Sequence, residues 1–242
     1  MTIALEARGL DKRFGGLHAV RGVDITAAVG EIVGLFGPNG AGKTTLFNLI
    51  AGTLRPDAGA ILIHGDDITA LPAWRRARRG VARTFQVTRP FRDLSVLENV
   101  LVGVPRDGAT TRHDAAAARA LLTKVGLGDR AEQDAGKLTL GMLKRLEVAR
   151  ALALEPTLLL LDEPLAGLTG REAADILDLI VRLKAQTAIV LVEHNVRQSL
   201  PVCDRAIVLD AGALIAAGSP DEIRVDPKVV RAYLGDGDVK AC

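Results

Sequence analysis

The sequence predicts an α/β fold with a mostly parallel sheet, antiparallel strands at the sheet edge and an inserted helical segment. Three runs that begin at Ile32, Leu158 and Ile189 are almost wholly apolar, as strands are when both faces of a parallel sheet are covered. Between residues 87 and 154 the strand signal disappears and helical periodicity replaces it. Alternation of strands and helices then resumes, so the helical segment is expected inside one α/β domain.

Strands and helices follow from local periodicity along the chain. Early and late runs alternate in polarity and are interrupted by Val29-Gly30 and Ala211-Gly212, which indicates antiparallel hairpins at the edge of the sheet. The predicted strands are 3–7, 23–28, 32–36, 60–64, 158–162, 189–193, 206–210 and 214–217. The predicted helices are 45–51, 96–101, 114–125 and 140–154, with two short ones starting at Pro220 and Pro227.

Length and composition describe an ordinary globular chain. Of 242 residues, 48% are hydrophobic and 25% are charged, which excludes a disordered, collagen-like or disulfide-stapled protein. Cys203 and Cys242 are expected to be free thiols. The net charge is +2 and there are seven aromatic residues, so no nucleic-acid partner is expected. No signal peptide is expected from the charged first twenty residues, and no apolar run reaches the roughly 18 residues that cross a bilayer, so a membrane role is expected to need another component.

A glycine-rich segment follows the predicted strand 32–36 and precedes the predicted helix 45–51. Residues 37–44 read Gly-Pro-Asn-Gly-Ala-Gly-Lys-Thr and satisfy the phosphate-loop pattern G-x-x-x-x-G-K-S/T in its strand–loop–helix context. Glycines let backbone N–H groups converge on phosphate oxygens, and the helix N-terminus adds partial positive charge. Lys43 is expected to reach the β- and γ-phosphates, and the Thr44 hydroxyl to bind Mg²⁺.

Two carboxylates, Asp162 and Glu163, end the apolar strand 158–162. Such a pair is costly without a cation, so Asp162 is expected to bind Mg²⁺, and Glu163 to orient or deprotonate the attacking water. The sequence therefore predicts binding and hydrolysis of a nucleoside triphosphate. The guanine-reading pattern N/T-K-x-D is absent, which argues against a GTPase.

Three further segments accompany these motifs: Arg83-Thr84-Phe85-Gln86, Leu138-Thr139-Leu140-Gly141-Met142 with the helix 145–152, and Val192-Glu193-His194. Together, over essentially the full length, the chain resembles the ATP-binding subunits of ABC transporters. The resemblance implies a P-loop NTPase core of RecA-like type, formed by residues 1–86 and 155–242 with the C-terminal helices. It also implies a helical ABC subdomain at 87–154 that carries the signature motif.

The same resemblance implies roles for single residues. Gln86 would contact Mg²⁺ or the attacking water, His194 the γ-phosphate, and Phe14 the adenine. Taken in isolation, Gln86 could equally be a surface glutamine, His194 a structural histidine and Phe14 a core aromatic residue. The implied catalytic residues are Glu163, His194 and Gln86, and the implied Mg²⁺ ligands are Thr44, Gln86 and Asp162. The implied ATP-binding residues are Phe14, Gly37, Pro38, Asn39, Gly40, Ala41, Gly42, Lys43, Thr44 and Thr45.

The signature motif departs from its commonest form, L-S-G-G-Q, at Thr139, Leu140 and Met142. Thr139 keeps a hydroxyl and Gly141 keeps close backbone approach, whereas Met142 cannot make the hydrogen bonds of glutamine. By the resemblance, Thr139, Leu140 and Gly141 complete the ATP site of a second subunit, in a homodimer or heterodimer that holds two ATPs head to tail.

Within this family the chain resembles the ATPases of bacterial branched-chain amino acid importers, on residues 83–86, 89–91, 94–100, 145–147, 166–168 and 218–235. The implied partners are two integral membrane permease subunits and, indirectly, a periplasmic binding protein, with the chain at the cytoplasmic face of the inner or plasma membrane. Urea, amide or other amino acid importers are alternatives, as is a soluble ABC ATPase. The cluster Arg75, Arg76, Arg78, Arg79 and Arg83 is interpreted as a solvated helix face.

Overall fold

The structure is a computed structural model that describes residues 2–104 and 112–234. The strands are β1 (Ile3–Phe14), β2 (Leu17–Ala28), β3 (Ile32–Phe36), β4 (Ala58–Ile63), β5 (Asp66–Asp67), β6 (Val81–Arg83), β7 (Leu158–Asp162), β8 (Ala188–Val192), β9 (Arg205–Asp210) and β10 (Ala213–Gly218). The helices are α1 (Lys43–Ala51), α2 (Ala73–Ala77), α3 (Val96–Leu101), α4 (Arg112–Lys124), α5 (Leu140–Leu152), α6 (Gly170–Leu183), α7 (Val196–Ser199), α8 (Pro220–Val225) and α9 (Pro227–Leu234).

A six-stranded sheet has the order β10-β9-β3-β8-β7-β6. Its strands are parallel except for β10, which pairs antiparallel with β9 at the edge. Every residue of β3, β7 and β8 is buried, which explains their unbroken apolar sequences. The predicted α/β fold, its mostly parallel sheet and the edge hairpin at Ala211-Gly212 are therefore confirmed.

The early strands were predicted to lie at the edge of that sheet, and this prediction is wrong. They form a separate antiparallel sheet of order β2-β1-β4-β5. Helix α1 supplies the reason: its buried Leu46, Phe47 and Ile50 share one apolar cluster with residues of both sheets, such as Leu5 of β1 and Val33 of β3. The two sheets thus share the apolar face of α1, and the Arg21 N–H of β2 also donates to the Gly212 carbonyl in the β9–β10 turn.

Helices α3, α4 and α5 occupy the chain between β6 and β7. Ser95 begins α3 in a reciprocal capping box with Glu98, and the Thr139 hydroxyl accepts the N–H of Met142 at the start of α5. The predicted helix 96–101 is confirmed, and α5 ends two residues before its predicted end. Buried residues of these helices share a cluster with Leu159 and Leu161 of β7, so they cover the face of the sheet opposite α1.

The C-terminal helices α8 and α9 begin at Pro220 and Pro227, as predicted. Cys203 is a buried free thiol whose pKa burial raises to about 12, whereas Cys242 lies outside the described residues. In the described ranges, no helix combines the length and the apolar character that a bilayer-crossing segment needs.

Candidate nucleotide-binding and hydrolysis site

The glycine-rich loop joins β3 to α1 in a conformation that only glycine fits at two positions. Gly37 has a φ of 144° and Gly42 a φ of 99°. A Cβ atom at Gly37 would lie 2.2 Å from the carbonyl oxygen of Leu209, and one at Gly42 would lie 2.3 Å from that of Ala19. The loop therefore follows the backbone of β9 and β2 closely before α1 begins.

The loop presents unpaired backbone donors. Within the described residues, the N–H groups of Lys43, Thr44 and Thr45 at the start of α1 have no recorded hydrogen-bond acceptor. A cleft of about 470 Å³ opens in front of them, lined by residues 39–45, by Leu17 and His18 of β2 and by His194. Free N–H groups at a helix N-terminus facing a cleft can bind an anion such as a phosphate.

Lys43 is folded into its own loop. Its ammonium group donates to the carbonyl oxygens of Gly37 at 2.6 Å and Pro38 at 2.9 Å, and the residue is only 5% exposed. Burial lowers the pKa of Lys43, while the charge of Glu163 acts in the opposite direction. The cation thus lies at the base of the cleft, where it can pair with a phosphate.

The three predicted catalytic side chains are in contact. His194 Nε2 lies 2.7 Å from Glu163 Oε1, and Gln86 Nε2 donates to Glu163 Oε2 at 2.8 Å. Glu163 has a φ of 46°, an uncommon value for a residue with a side chain, and its N–H donates to the Val192 carbonyl of β8. Glu163 follows β7, and its carboxylate therefore contacts one residue that follows β6 and one that follows β8.

Asp162 is buried beside these groups. Burial raises its pKa, and its nearest cation is Arg83, whose Nη2 is 3.8 Å away. In the described ranges no group of three or more His, Cys, Asp or Glu side chains could by itself hold a metal. A Mg²⁺ ion that keeps phosphate and water ligands needs few protein oxygens, and the carboxylate of Asp162, the hydroxyl of Thr44 and the amide oxygen of Gln86 are donors of the type that Mg²⁺ prefers.

The structure places only part of the predicted site in the cleft lining, namely Asn39, Gly40, Ala41, Gly42, Lys43, Thr44, Thr45 and His194. Predicted residues outside the lining include Gly37, Pro38, Gln86, Asp162 and Glu163. Phe14 is at the tip of the β1–β2 hairpin, 45% exposed and outside the cleft lining. Thr139, Leu140 and Gly141 open α5, and none of them lines the cleft either. Leu140 is 42% exposed. These positions are compatible with contacts to a second molecule.

Two charged residues of α5 belong to the site and were missed from the sequence. The Lys144 ammonium donates to the carbonyl oxygens of Gln86 at 2.9 Å and Glu163 at 3.1 Å, and burial lowers its pKa. Glu147 accepts the backbone N–H groups of Phe85 and Arg89. No local pattern marks these two residues, because the backbone groups that they contact lie in a distant segment of the chain.

Glu193, which follows β8, is another buried carboxylate at this edge. It accepts the N–H of Leu165 at 2.8 Å, and burial raises its pKa to about 7. Its position links the end of β8 to the turn that follows Glu163.

The interpretation of the arginine cluster as a solvated face is wrong for two of its members. Arg76 is 1% exposed and donates to four backbone carbonyl oxygens, because it closes the end of α1. Arg83 is half-buried, and its Nη1 donates to Asn48 Oδ1 at 2.9 Å. Arg75, Arg78 and Arg79 are exposed, as expected.

A parallel sheet with a glycine-rich loop after β3 and a carboxylate pair after β7 defines a P-loop nucleotide-binding protein. The sequence matches the ABC transporter family over residues 20–166 and the family of branched-chain amino acid ATP-binding cassette transporters over residues 213–239. The chain belongs to the ABC transporter family, as an ATP-binding cassette, and is an ATP hydrolase.

Relatives of known designation span nearly the whole chain. The high-affinity branched-chain amino acid transport ATP-binding protein BraF of Pseudomonas aeruginosa is 39% identical, with 96% of this chain and 98% of BraF covered. LptB of Escherichia coli, a lipopolysaccharide export ATP-binding protein, is 41% identical, with 96% and 97% covered. The crystal structure of MJ1267 in its ADP conformation, an ABC transporter cassette, has a TM-score of 0.90 at 31% identity and covers 98% of this chain and 100% of MJ1267.

Proposed function

We propose that this chain is the ATP-hydrolysing subunit of an importer, and that it energises the uptake of branched-chain amino acids. Whole-chain identity does not distinguish import from export, because BraF and LptB are about equally similar to the chain. The match of residues 213–239 to the branched-chain amino acid family favours amino acid transport over lipopolysaccharide export. Importers of urea, amides or other amino acids remain the alternative, and substrate uptake by proteoliposomes with matched permeases and binding protein distinguishes them.

The contact of Gln86, Glu163 and His194 is the observation that supports hydrolysis. Glu163 would accept a proton from the attacking water, and His194 and Gln86 fix its carboxylate through both oxygens. Lys43 and the free N–H groups of the glycine-rich loop would hold the phosphates. When bound, Mg²⁺ neutralises phosphate charge, and Thr44, Gln86 and Asp162 would be its ligands.

The proposed head-to-tail dimer would give a role to the residues at the start of α5, which lie outside the cleft. Thr139, Leu140 and Gly141 would contact the ATP of the second subunit, and Phe14 would contact the adenine. In this proposal residues 1–86 and 155–242 form the ATP-binding core and residues 87–154 the helical subdomain. ATP would close the dimer, and hydrolysis would reopen it.

Membrane permease subunits are the proposed partners of the helical side. Three large apolar side chains close to Gln86 in the sequence are exposed, namely Phe85, Val87 and Phe91. Exposed apolar surface rimmed by polar residues is typical of interaction sites. Docking there would hold the chain at the cytoplasmic face of the membrane, with a periplasmic binding protein as an indirect partner.

The Glu163→Gln variant tests the proposed chemistry. Because an amide cannot take the proton of water, hydrolysis should fall by about 100-fold or more, and ATP-bound dimers should accumulate. Phosphate release and size-exclusion chromatography with ATP measure the two effects. Lys43→Ala is the control that should lose ATP affinity and stay monomeric. Near-normal hydrolysis by Glu163→Gln would contradict the role of Glu163.

A further inference from the structure

One face of α5 is charged where it meets the segment that follows β6. Lys144, Glu147 and Arg150 are three residues apart and therefore share this face. They contact the backbone of residues 85–91, called here the Q-segment. Lys144 donates to the Gln86 carbonyl at 2.9 Å, and Arg150 donates to the Arg89 carbonyl at 3.0 Å.

Glu147 is at the centre of this contact and is only 7% exposed. Its Oε2 accepts the N–H of Phe85 and its Oε1 accepts the N–H of Arg89, both at 3.2 Å. The two N–H groups lie on either side of Gln86 in the chain, and no other acceptor for them is recorded among the described residues. Burial of a carboxylate is tolerated when hydrogen bonds replace its water, and here the Q-segment supplies two of them and Arg150, whose Nη1 is 3.4 Å from Oε1, a third.

Gln86 itself has an exposed side chain whose position depends on this backbone. The Q-segment has neither helical nor strand hydrogen bonding, so side chains of α5 hold its backbone in place. At the end of the Q-segment, the Asn99 side chain binds both the backbone N–H and the carbonyl of Phe91, each at 2.9 Å. The Q-segment is thus held at several points, with Glu147 next to the residue that reaches Glu163.

We propose that Glu147 is a positioning residue for Gln86: its carboxylate fixes the backbone on both sides of Gln86 and couples the Q-segment to α5. This inference rests on the proposed role of Gln86 in hydrolysis. Because Thr139 and Gly141 begin the same helix, a displacement of α5 at the dimer interface moves Glu147 and, with it, Gln86. The signature helix then controls the geometry around Glu163 without touching the reacting atoms of its own subunit.

The Glu147→Gln variant tests this coupling because it keeps the size of the side chain and replaces one acceptor oxygen by an NH₂ group. Amide hydrogen exchange of the nucleotide-free protein should accelerate by about 10-fold or more in peptides covering 85–91, with α1 peptides unchanged. The kcat for ATP hydrolysis should fall by about 10-fold while KM for ATP stays within about twofold, since Glu147 does not face the cleft.

The matched control is Glu222→Gln, because Glu222 also accepts a backbone N–H, that of Ser219, but at the exposed start of α8. It should leave both exchange of 85–91 and kcat unchanged. Unaltered exchange of 85–91 in Glu147→Gln overturns the proposal. An equal acceleration of exchange or an equal fall in kcat in Glu222→Gln also overturns it. A loss confined to thermal stability, with kcat retained, overturns it as well.

Two further arms keep the outcomes separate. If Glu147→Gln does not fold, Glu147→Asp replaces it, because aspartate keeps the charge but is too short to reach both N–H groups. Exchange of 85–91 should accelerate in this variant as well, by a smaller factor than in Glu147→Gln. Unchanged exchange in Glu147→Asp also overturns the proposal. The exchange experiment needs no turnover. If Glu163→Gln hydrolyses ATP normally, the proposed function fails, while the exchange data still decide whether Glu147 holds the Q-segment.

Discussion

Lys144 is the counter-charge for the carboxylates at the edge of the parallel sheet. Its ammonium interacts electrostatically with Asp162, Glu163, Glu193 and Glu147, while burial works against its charge and lowers its pKa. Four carboxylates thus surround one buried lysine, with Arg83 beside Asp162 and Arg150 beside Glu147 as further cations. Protonation of the most buried of these carboxylates should be measurable.

Glu193 is that carboxylate, and it predicts a specific pH dependence of stability. Its folded pKa of about 7 exceeds the ordinary value of 4.5, because burial disfavours its charge. The folded state therefore binds more protons than the unfolded state between about pH 4.5 and 7, and this residue's contribution to stability falls as pH rises through that window. Each pKa unit corresponds to about 1.4 kcal/mol, so the loss is of the order of a few kcal/mol.

Urea unfolding of the nucleotide-free protein from pH 5 to 8 measures this effect, with Glu193→Gln for comparison. Because glutamine mimics the protonated acid, the variant should lose this part of the pH dependence and should be more stable than the parent protein at pH 8. Parallel stability curves for the two proteins would exclude Glu193 as the source.

At the scale of elements, the end of α1 depends on a residue of α2. Gly52 ends α1 in the left-handed conformation, and a Cβ atom there would lie 2.7 Å from Cδ of Arg76. The absent side chain leaves room for the Arg76 guanidinium, which donates to Leu49 and Ile50, the last-turn carbonyls of α1, and to Thr69 and Leu71. Its pKa is lowered to about 10 by burial. The guanidinium thereby joins the end of α1 to the segment between β5 and α2, where the Thr69 hydroxyl accepts the N–H of Ile61 in β4.

Replacement of this arginine should destabilise the fold strongly. Arg76→Met removes the guanidinium donor from four carbonyl oxygens, of which Leu49 keeps the N–H of Gly52, and we expect a loss of about 3 kcal/mol in the free energy of unfolding. Arg79→Met is the matched control, since Arg79 is exposed and pairs with the exposed Asp66 at 2.9 Å. It should cost less than about 1 kcal/mol. Equal effects in urea unfolding would contradict the anchoring role of Arg76.

Elements that carry their own pattern could be predicted from the sequence, and those that depend on tertiary contacts could not. Strands β3 and β7 are unbroken apolar runs, and the phosphate loop is marked by Gly37, Gly42 and Lys43. Strand β6 has three residues, too few for any periodicity, and is recognisable only from its pairing with β7. Arg76 and Glu147 look like surface charges because nothing local shows the buried carbonyls and N–H groups that they satisfy. The separate antiparallel sheet was missed because α1 sets the layer arrangement.

At the scale of the whole molecule, the proposed dimer would bring the start of α5 from a second copy to the nucleotide cleft. The start of α5 carries an N-terminal cap at Thr139 and exposes Leu140, yet it lies outside the cleft. Gly141 is beside Glu172 of α6, and a Cβ atom there would lie 3.1 Å from Glu172 Oε1. A helix N-terminus with a glycine in its first turn is suited to approach a phosphate, so a second copy is expected to supply it.

A Gly141→Asp substitution in the Glu163→Gln background tests that expectation. The added carboxylate would stand at the start of α5, facing the γ-phosphate of the second subunit in the head-to-tail arrangement, and charge repulsion should prevent closure. We expect the ATP-dependent dimer to disappear in size-exclusion chromatography with light scattering, while each chain keeps its affinity for a fluorescent ATP analogue within about threefold. Gly170→Asp is the control, because Gly170 begins α6 with open space around it. Persistence of the dimer in Gly141→Asp would refute the trans site, whereas a parallel loss of nucleotide affinity would mean that Gly141 belongs to the site of its own chain.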